Sequence, residues 1–310
     1  MEINIWFWVG FNVFVLFMLA LDLWVFHRKS EEVTVKEALT WSAIWITLAL
    51  IFNGLIYQWF GQEKALEFLA GYLIEKALSV DNIFVFTIIF AYFAIPKAYQ
   101  HKVLFWWVLW AIFFRIIFIF AWVSLLENFH WIIYVFGAIL LYTAWKLISW
   151  GEMKVDPEKS YAIKLVSKII PFKKELHGDK FFIREKAKLY GTPLFMCLVF
   201  IETADLVFAV DSIPAILAIT QDKFIVYTSN VFAIMWLRSL YFALAGIIDR
   251  FRYLPIGLAF ILAFVGTKMI IIDFYKIPVH YSLIVILTIL VMSISFSLFK
   301  TKDEHTSHHS

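Results

Sequence analysis

Three carboxylates lie in one apolar stretch of the sequence, FIETADLVFAVDSIPAILAIT, at residues 200–220. Glu202, Asp205 and Asp211 have no lysine or arginine beside them within this stretch. A charged side chain at the centre of a bilayer costs about 2.5–3.5 kcal/mol on insertion scales, and such residues are usually paired or functional. Carboxylate oxygens are hard ligands that suit Mn²⁺, Mg²⁺ or Ca²⁺. The stretch therefore predicts a cation-binding role for these acids.

A second acidic motif repeats the first. The segment EKALSVDNIFVF at 75–86 aligns without gaps on DLVFAVDSIPAI at 205–216. The aligned polar pairs are Glu75 with Asp205, Asp81 with Asp211, and Asn82 with Ser212. We expect the five acids Glu75, Asp81, Glu202, Asp205 and Asp211 to converge on one metal site, with Asn82 and Ser212 adding neutral oxygens.

The match continues downstream of both motifs. Arg115 aligns with Arg238, and FGAILLYTAWK at 136–146 aligns with LAFILAFVGTK at 258–268, which pairs Lys146 with Lys268. An odd number of spans, three, separates the copies, so the second copy runs through the membrane in the opposite direction. The sequence thus predicts a three-plus-three inverted repeat, a common build for secondary transporters that bind their substrate at the interface between repeats.

Helix geometry limits how the acids of one motif can act together. Residues six apart on a straight helix point about 240° apart, so Asp205 and Asp211 do not share a face. Either one of them faces the ion and the other a cation, or the helix breaks between them. Pro214 favours a break, because it leaves the carbonyl of Val210 without a hydrogen-bond donor.

The basic residues inside the spans are interpreted as charge partners or gates, because a cation site would repel them. They are Lys76, Arg115, Lys146, Arg238 and Lys268. Asp22 and Asn53, in the first two spans, are expected to be accessory. The alternative is that all these charges form interhelical salt bridges that only fix packing. The concentration of acids in two repeated motifs argues against this alternative.

The elements that must position these residues are membrane helices. The 310 residues are 63% hydrophobic and only 16% charged, with a mean hydropathy of +0.82. This composition predicts an all-α polytopic membrane protein. The candidate spans, about nine in number, are 3–26, 39–60, 66–93, 103–126, 129–150, 193–219, 224–248, 253–273 and 279–299, each long enough to cross about 30 Å of hydrocarbon.

Lysine and arginine bias predicts an external N-terminus and a cytoplasmic C-terminus. With this orientation the outward loops hold only Lys64, Lys223 and Lys276, and most other basic residues fall in inward loops. The predicted organisation has five parts. They are two N-terminal helices (1–60), a first repeat (61–150), a cytoplasmic insert (151–192), a second repeat (193–275), and a last helix with a polar tail (276–310).

The insert is expected to meet the membrane surface. Apolar residues from Ala162 to Ile170 follow helical spacing with lysines opposite, which suits a short helix on anionic lipid. An ordinary solvated linker is an equal alternative. Residues 179–193 read as a hairpin, and the tail from 301 to 310 is expected to lack regular structure.

Several function classes are excluded or disfavoured. One cysteine, Cys197, leaves no dithiol chemistry within the chain. Outside the spans, the basic residues lie in short loops, the insert and the tail, a pattern that disfavours nucleic-acid binding. No histidine pair can clamp a haem in mid-membrane, because His27, His101, His130 and His280 all fall at span ends. An enzymatic function and a tightly bound cofactor are therefore not expected.

Three stretches carry a resemblance to a known family. They are GYLIEKALSVDNIFVF, TPLFMCLVFIETADLVFAVDSIPAILAIT and YTSNVFAIMWLRSLYFAL. In them the sequence resembles the TerC family of integral membrane proteins, including its Alx branch, over about residues 36–300. The family name derives from tellurium-resistance clusters. Some members are implicated in Mn²⁺ export, and the Alx branch is associated with alkaline pH and redox modulation.

The resemblance implies a metal site formed by the five acids named above. One departure is Trp236, which stands where the family usually has a small residue, and this questions close helix packing at that point. The leading hypothesis is a divalent-cation exporter of the bacterial inner membrane, most consistent with Mn²⁺ as substrate, that works by alternating access. Buried carboxylates can bind protons or a cation in turn, so proton coupling is expected. The alternative is an interaction protein that modulates stress or redox responses or assists insertion.

Overall fold

The structure is a computed structural model of the 310-residue chain. It describes residues 4–26, 33–129, 131–150, 170–173, 175–185, 188–244 and 254–307. The predicted surface helix from Ala162 to Ile170 lies outside this part of the chain, apart from Ile170 itself.

The described residues form nine α-helices and one hairpin. The helices are α1 (Ile5–Phe26), α2 (Val35–Phe60), α3 (Gln62–Tyr92), α4 (Lys97–Asn128), α5 (Ile132–Trp150), α6 (Pro193–Leu217), α7 (Lys223–Leu244), α8 (Leu254–Ile270) and α9 (Val279–Ser307). Every predicted span coincides with one of them. The all-α architecture of the membrane region is confirmed.

Five of these helices, α2, α4, α5, α6 and α9, are long and apolar enough to cross a membrane. Two shorter apolar stretches lie on α1 and α8. Large apolar side chains cover the outside of the bundle, such as Trp6, Val13 and Phe17 on α1, each at least 60% exposed. Apolar patches of this extent mark a surface that meets lipid. The chain is therefore a multi-pass membrane protein, while the count of nine crossings, the orientation and the inverted repeat stay predictions.

Local sequence signals explain where α2, α3 and α6 begin. Thr34 and Glu37 form a capping box at the start of α2, in which each side chain accepts from the other residue's backbone N–H. Gly61, with a φ of 88°, joins α2 to α3 in a conformation that favours glycine. Pro193 occupies the first turn of α6, where its missing N–H is not needed.

Two groups of helices pack against each other. The first half, α3–α5, meets the second half, α6–α8, through contacts of α3 and α4 with both α6 and α7, and through a close pairing of α5 with α8. Helix α7 also packs on α2, and almost every residue from Phe224 to Arg238 is buried. The acidic motifs lie on α3 and α6, so this packing brings the two motifs together.

The predicted break at Pro214 does not form, because α6 continues through this residue. The predicted unstructured tail is also corrected, since α9 extends to Ser307. Lysine and glutamate are good helix formers, so the polar segment after Lys300 can continue a helix that has already begun.

The hairpin precedes α6, as predicted. Strand β1 (Phe182–Glu185) pairs antiparallel with β2 (Lys188–Gly191), and Phe182 lies opposite Gly191. The adjoining loop is tied to α4 by Lys102, whose Nζ donates to Oδ2 of Asp179 at 2.7 Å. This ion pair connects the insert to the helix bundle.

The Lys102 ion pair predicts a small dependence of stability on pH. The hydrogen bond from Lys102 holds the pKa of Asp179 below its ordinary value. A carboxyl group with a lowered folded-state pKa stabilises the fold above its unfolded pKa, and the contribution is lost as the pH falls through the folded-state pKa. We expect Asp179→Asn to reduce the free energy of unfolding at neutral pH by less than about 1 kcal/mol, because the pair is solvent-exposed.

The measurement is the free energy of unfolding of wild type and variant at neutral pH and in acid below the folded-state pKa of Asp179, which itself lies below the unfolded value of about 3.9. The difference should vanish in acid, and Lys102→Gln should behave alike at neutral pH. A difference of equal size at both pH values would show that the ion pair is not its cause.

Candidate functional site

A buried arginine joins the two predicted acidic motifs. Nη1 of Arg115 donates a 2.7 Å hydrogen bond to Oε1 of Glu75, and Nη2 lies 3.4 Å from Oδ1 of Asp205. Nη1 also lies 3.2 Å from Oγ of Ser212 and 2.5 Å from Oδ1 of Asn230. The amide of Asn230 donates to Oε2 of Glu75 at 3.2 Å. These five residues are called the Arg115 cluster below.

The Arg115 cluster is enclosed by protein. None of its five residues is more than 3% exposed. It draws one residue each from α3, α4 and α7 and two from α6. One guanidinium faces two carboxylates, so the cluster carries a net negative charge when both acids are ionised. Removing one partner from such a buried pair leaves an uncompensated charge, which is strongly destabilising.

Asn230 is the member of the cluster that sequence reasoning missed. It is fully buried and contacts both Arg115 and Glu75. The signal was the polar run Thr228, Ser229 and Asn230 inside an otherwise apolar helix. Such a run is informative, because buried polar groups need partners.

Asp205 and Asp211 face different surroundings, as the predicted 240° rotation between them requires. Asp205 points into the Arg115 cluster. Asp211 is half-buried and accepts a 3.1 Å hydrogen bond from Oγ1 of Thr143 on α5. Lys146, one turn further along α5, lies close enough to interact electrostatically with Asp211. The helix is unbroken, and the two acids point to separate partners; that one of them faces a metal ion stays a prediction.

Several buried oxygens near the cluster have no hydrogen-bond partner among the described residues. They are both carboxylate oxygens of Glu202, Oδ1 of Asn82 and Oγ of Ser79. Glu202 lies one turn from Asp205 and interacts with its charge. Glu75, Ser79 and Asn82 share one face of α3, since they recur at helical spacing. These oxygens are the groups that a hydrated or partly dehydrated cation could use.

The other predicted charge partners take separate positions. Nζ of Lys76 lies 3.9 Å from the centre of the Trp236 ring, in a cation–π contact between α3 and α7. The guanidinium of Arg238 lies 5.8 Å from the Phe105 ring of α4. Nζ of Lys268 donates to Oγ of Ser282 at 3.0 Å. Among the predicted bases, Arg115 and Lys146 are those whose described interactions are with acids of the two motifs.

A second polar group lies at one end of the bundle. Lys64 and Thr220 both donate to Oε2 of Glu67, at 2.7 and 2.6 Å, and Lys64 also lies 3.5 Å from Asp222. A cavity of about 890 Å³ lies beside these residues. With the predicted orientation this end faces outward.

The predicted metal set extends beyond the described side chains. The side chains of Asp81 and Asp22 lie outside the described part of the structure. Asn53 has a buried Oδ1 with no partner among the described residues. Within that same part, no group of three or more His, Cys, Asp or Glu side chains is arranged to hold a metal ion. Arg115 explains this for Glu75 and Asp205, because its guanidinium lies where a shared cation would bind.

Comparison with known proteins identifies the family. The model of the integral membrane protein TerC family matches residues 60–305, which contain every member of the Arg115 cluster. The chain belongs to the TerC family. The resemblance predicted from the acidic motifs is therefore confirmed.

Relatives of this TerC family member align along nearly its whole length. An uncharacterized membrane protein of Myxococcus xanthus, STKORF319, is 51% identical over 300 residues, covering 97% of this chain and 94% of the relative. A protein of Escherichia coli strain K12 with the provisional name membrane-bound redox modulator Alx is 45% identical over 295 residues, covering 92% of each chain. No solved structure matches the chain.

Proposed function

We propose that this TerC family member exports a divalent metal cation, with Mn²⁺ as the best-fitting substrate, by alternating access. The observation that carries the proposal is the Arg115 cluster. It places one acid from each predicted repeat, Glu75 and Asp205, on the same buried cation. A carboxylate pair gathered by a side-chain cation can also be gathered by a metal ion, provided that the arginine withdraws.

The donor set fits a hard divalent cation. Glu75 and Asp205 supply carboxylate oxygens, while Ser212 and Asn230 supply neutral oxygens. Glu202, Ser79 and Asn82 add the unpartnered oxygens described above. This mixture of carboxylate, amide and hydroxyl oxygens suits Mn²⁺, Mg²⁺ or Ca²⁺ and contains no soft ligand. Ligand type does not separate Mn²⁺ from Ca²⁺, so the substrate must be assigned by competition.

Alternating access explains why the arginine is present. With Arg115 in place, one of the two negative charges is balanced when no metal is bound, which limits the cost of burying the acids. A divalent cation offers a larger charge and displaces the guanidinium. The halves α3–α5 and α6–α8, which we propose to be inverted repeats, then move past each other around the site. An inner-membrane location with an external N-terminus and proton exchange for the metal belong to the same proposal.

The test is Mn²⁺ flux into proteoliposomes. Wild type should transport Mn²⁺, and Asp205→Asn should reduce the rate by at least about a hundredfold, because it removes a carboxylate that the metal needs in every cycle. Asp81→Asn and Asp211→Asn test the remaining predicted ligands. Asp179→Asn is the matched control, since it removes an exposed carboxylate of the insert and should leave flux unchanged. Ca²⁺ and Mg²⁺ as competitors assign the substrate.

Absence of wild-type flux under every imposed gradient would contradict the proposal. The Arg115 cluster would then be a structural salt bridge, and the interaction-protein alternative would take precedence. Flux that is insensitive to an imposed proton gradient would remove only the proton-coupling part. A dithiol redox reaction within one chain is not a competing mechanism, because Cys197 is the single cysteine of the sequence and is fully buried.

A further inference from the structure

The two repeat-matched arginines have different surroundings. Arg115 lies in the centre of the cluster, on the acids of both motifs. Arg238, its counterpart in the sequence repeat, is also buried but has the Phe105 ring of α4 among its contacts. In a transporter made of inverted repeats, the two halves exchange conformations between the opposite-facing states. The surroundings of one arginine in this structure then describe those of the other in the alternate state.

The repeat identifies the partners that Arg238 would take. Glu75 and Asp205 are counterparts of each other, so the same acid pair serves both arginines. The counterpart of Ser212, which accepts from Arg115, is Asn82. In this structure Oδ1 of Asn82 is buried and has no hydrogen-bond partner among the described residues. A buried acceptor without a partner is expected at this position if it accepts from Arg238 only in the alternate state.

The helix register places Arg238 within reach of Asn82. Helices α3 and α7 run in the same direction, since Gly71 lies against Ser229 and Lys76 lies over Trp236. At a rise of 1.5 Å per residue, Arg238 lies about 3 Å beyond Trp236, and Asn82 lies about 9 Å beyond Lys76. The axial separation of about 6 Å is within the span of an extended arginine side chain.

We propose that Arg115 and Arg238 hold the Glu75–Asp205 pair in turn, one in each of the two end states of the transport cycle. In this structure Arg115 fills the side of the pair nearer Ser212, and in the alternate state Arg238 fills the side nearer Asn82. The metal binds while neither guanidinium is on the pair. This exchange rests on the proposed function and on the proposed repeat, and it identifies Arg238 and Asn82 as positioning residues.

Two repeat-matched positions can report which side is filled. Val85 lies one turn beyond Asn82 on α3, and its counterpart Ala215 lies one turn beyond Ser212 on α6. They are 7% and 0% exposed, respectively. Helices α3 and α6 are antiparallel, because Thr220 contacts Glu67 and Ile216 contacts Gly71. This register puts Ser212 level with Glu75 and Asn82 level with Asp205, so Ala215 and Val85 lie beyond opposite ends of the acid pair.

The experiment measures thiol labelling by a small methanethiosulfonate in purified, metal-free protein. Val85→Cys or Ala215→Cys is introduced into a Cys197→Ala background, and Gln221→Cys, which is exposed, serves as the reference. Each reporter is combined with Asn82→Asp or Ser212→Asp. An added carboxylate strengthens the contact with the arginine on its own side, since charge-assisted hydrogen bonds are the stronger ones.

We expect opposite effects from the two substitutions. Asn82→Asp should favour the Arg238 state, raising the labelling rate at position 215 and lowering it at position 85, each by about tenfold. Ser212→Asp should do the reverse. Asn82→Ala and Ser212→Ala, which remove an acceptor and add no charge, should shift labelling opposite to their aspartate variants. Arg238→Gln should abolish the effect of Asn82→Asp and preserve that of Ser212→Asp.

Shifts in the same direction from both aspartate variants would overturn the proposal, as would an effect of Asn82→Asp that survives Arg238→Gln. Unchanged labelling in folded, monodisperse protein would also overturn it. If an aspartate variant fails to fold, the two alanine variants decide, each with the sign opposite to that expected of its aspartate variant. The readout needs no metal and no flux, so a protein that shows the expected pattern but does not transport would refute the exporter function and retain the arginine exchange.

Discussion

Replacing Arg115 by methionine is expected to lower the free energy of unfolding by about 3–5 kcal/mol, the usual penalty for removing one partner of a buried ion pair. The variant keeps most of the side-chain volume. It leaves Glu75, at 1% exposure, and Asp205, at 2%, without their shared donor. The measurement is unfolding of the purified protein in mixed micelles, followed by circular dichroism or tryptophan fluorescence.

A compensated variant is the matched control. Arg115→Met combined with Glu75→Gln and Asp205→Asn removes all three charges together. Replacement of a whole buried ion pair is often nearly neutral, so this variant should recover most of the lost stability. Neither variant should transport metal. A single Arg115→Met variant as stable as wild type would show that Glu75 and Asp205 are not held as a charged pair with Arg115.

Replacing Gly137 by leucine is the second change expected to have a large effect. At this point α5 and α8 are in backbone contact. A Cβ atom on Gly137 would lie 2.9 Å from the carbonyl oxygen of Gly266 and 2.8 Å from a side-chain carbon of Ile270. A Cβ on Gly266 would likewise lie 2.9 Å from the carbonyl oxygen of Gly137. Small residues at such crossings allow membrane helices to approach closely.

Because backbone atoms block the new side chain, the two helices must separate. Overpacking of this kind costs typically 1–3 kcal/mol, and we expect Gly137→Leu to reach about 3 kcal/mol. Gly54→Leu is the matched control. It lies within α2, and no atom lies within 4 Å of its added Cβ, so stability should be unchanged or slightly increased by helix propensity. Equal losses for both variants would indicate that the α5–α8 contact does not limit stability.

The meeting of Glu75 with Asp205 could be predicted from the sequence, because both occupy the same position of a repeated motif. The separate directions of Asp205 and Asp211 followed from helix geometry alone. The central place of Arg115 could not be derived in the same way. Charge balance predicts that an arginine will pair with acids, but five bases were available, and the order of residues along the helices does not say which one reaches which acid.

Asn230 shows a further limit of sequence reasoning. Helix α7 is buried on nearly all sides between Phe224 and Arg238. A helix without an exposed side lacks the alternation of polar and apolar faces from which orientation is read. The side of α7 that faces Glu75 is therefore determined by packing against α2, α3 and α4. The same limit applies to Trp236 on this helix. Its sequence position does not show that the Trp236 ring contacts Nζ of Lys76, as it does in the structure.

The order in which the Arg115 cluster assembles follows from where its members lie in the chain. Glu75 and Arg115 both belong to the first half, and their 2.7 Å ion pair needs no residue beyond α4. Synthesis proceeds from the N-terminus, so this pair can form while α6 and α7 are still absent. An arginine alone at that depth would oppose insertion of α4 by about 2.5–3.5 kcal/mol. The Glu75–Arg115 pair can enter lipid as an electrically neutral unit, and Asp205 and Asn230 join it when the second half is inserted.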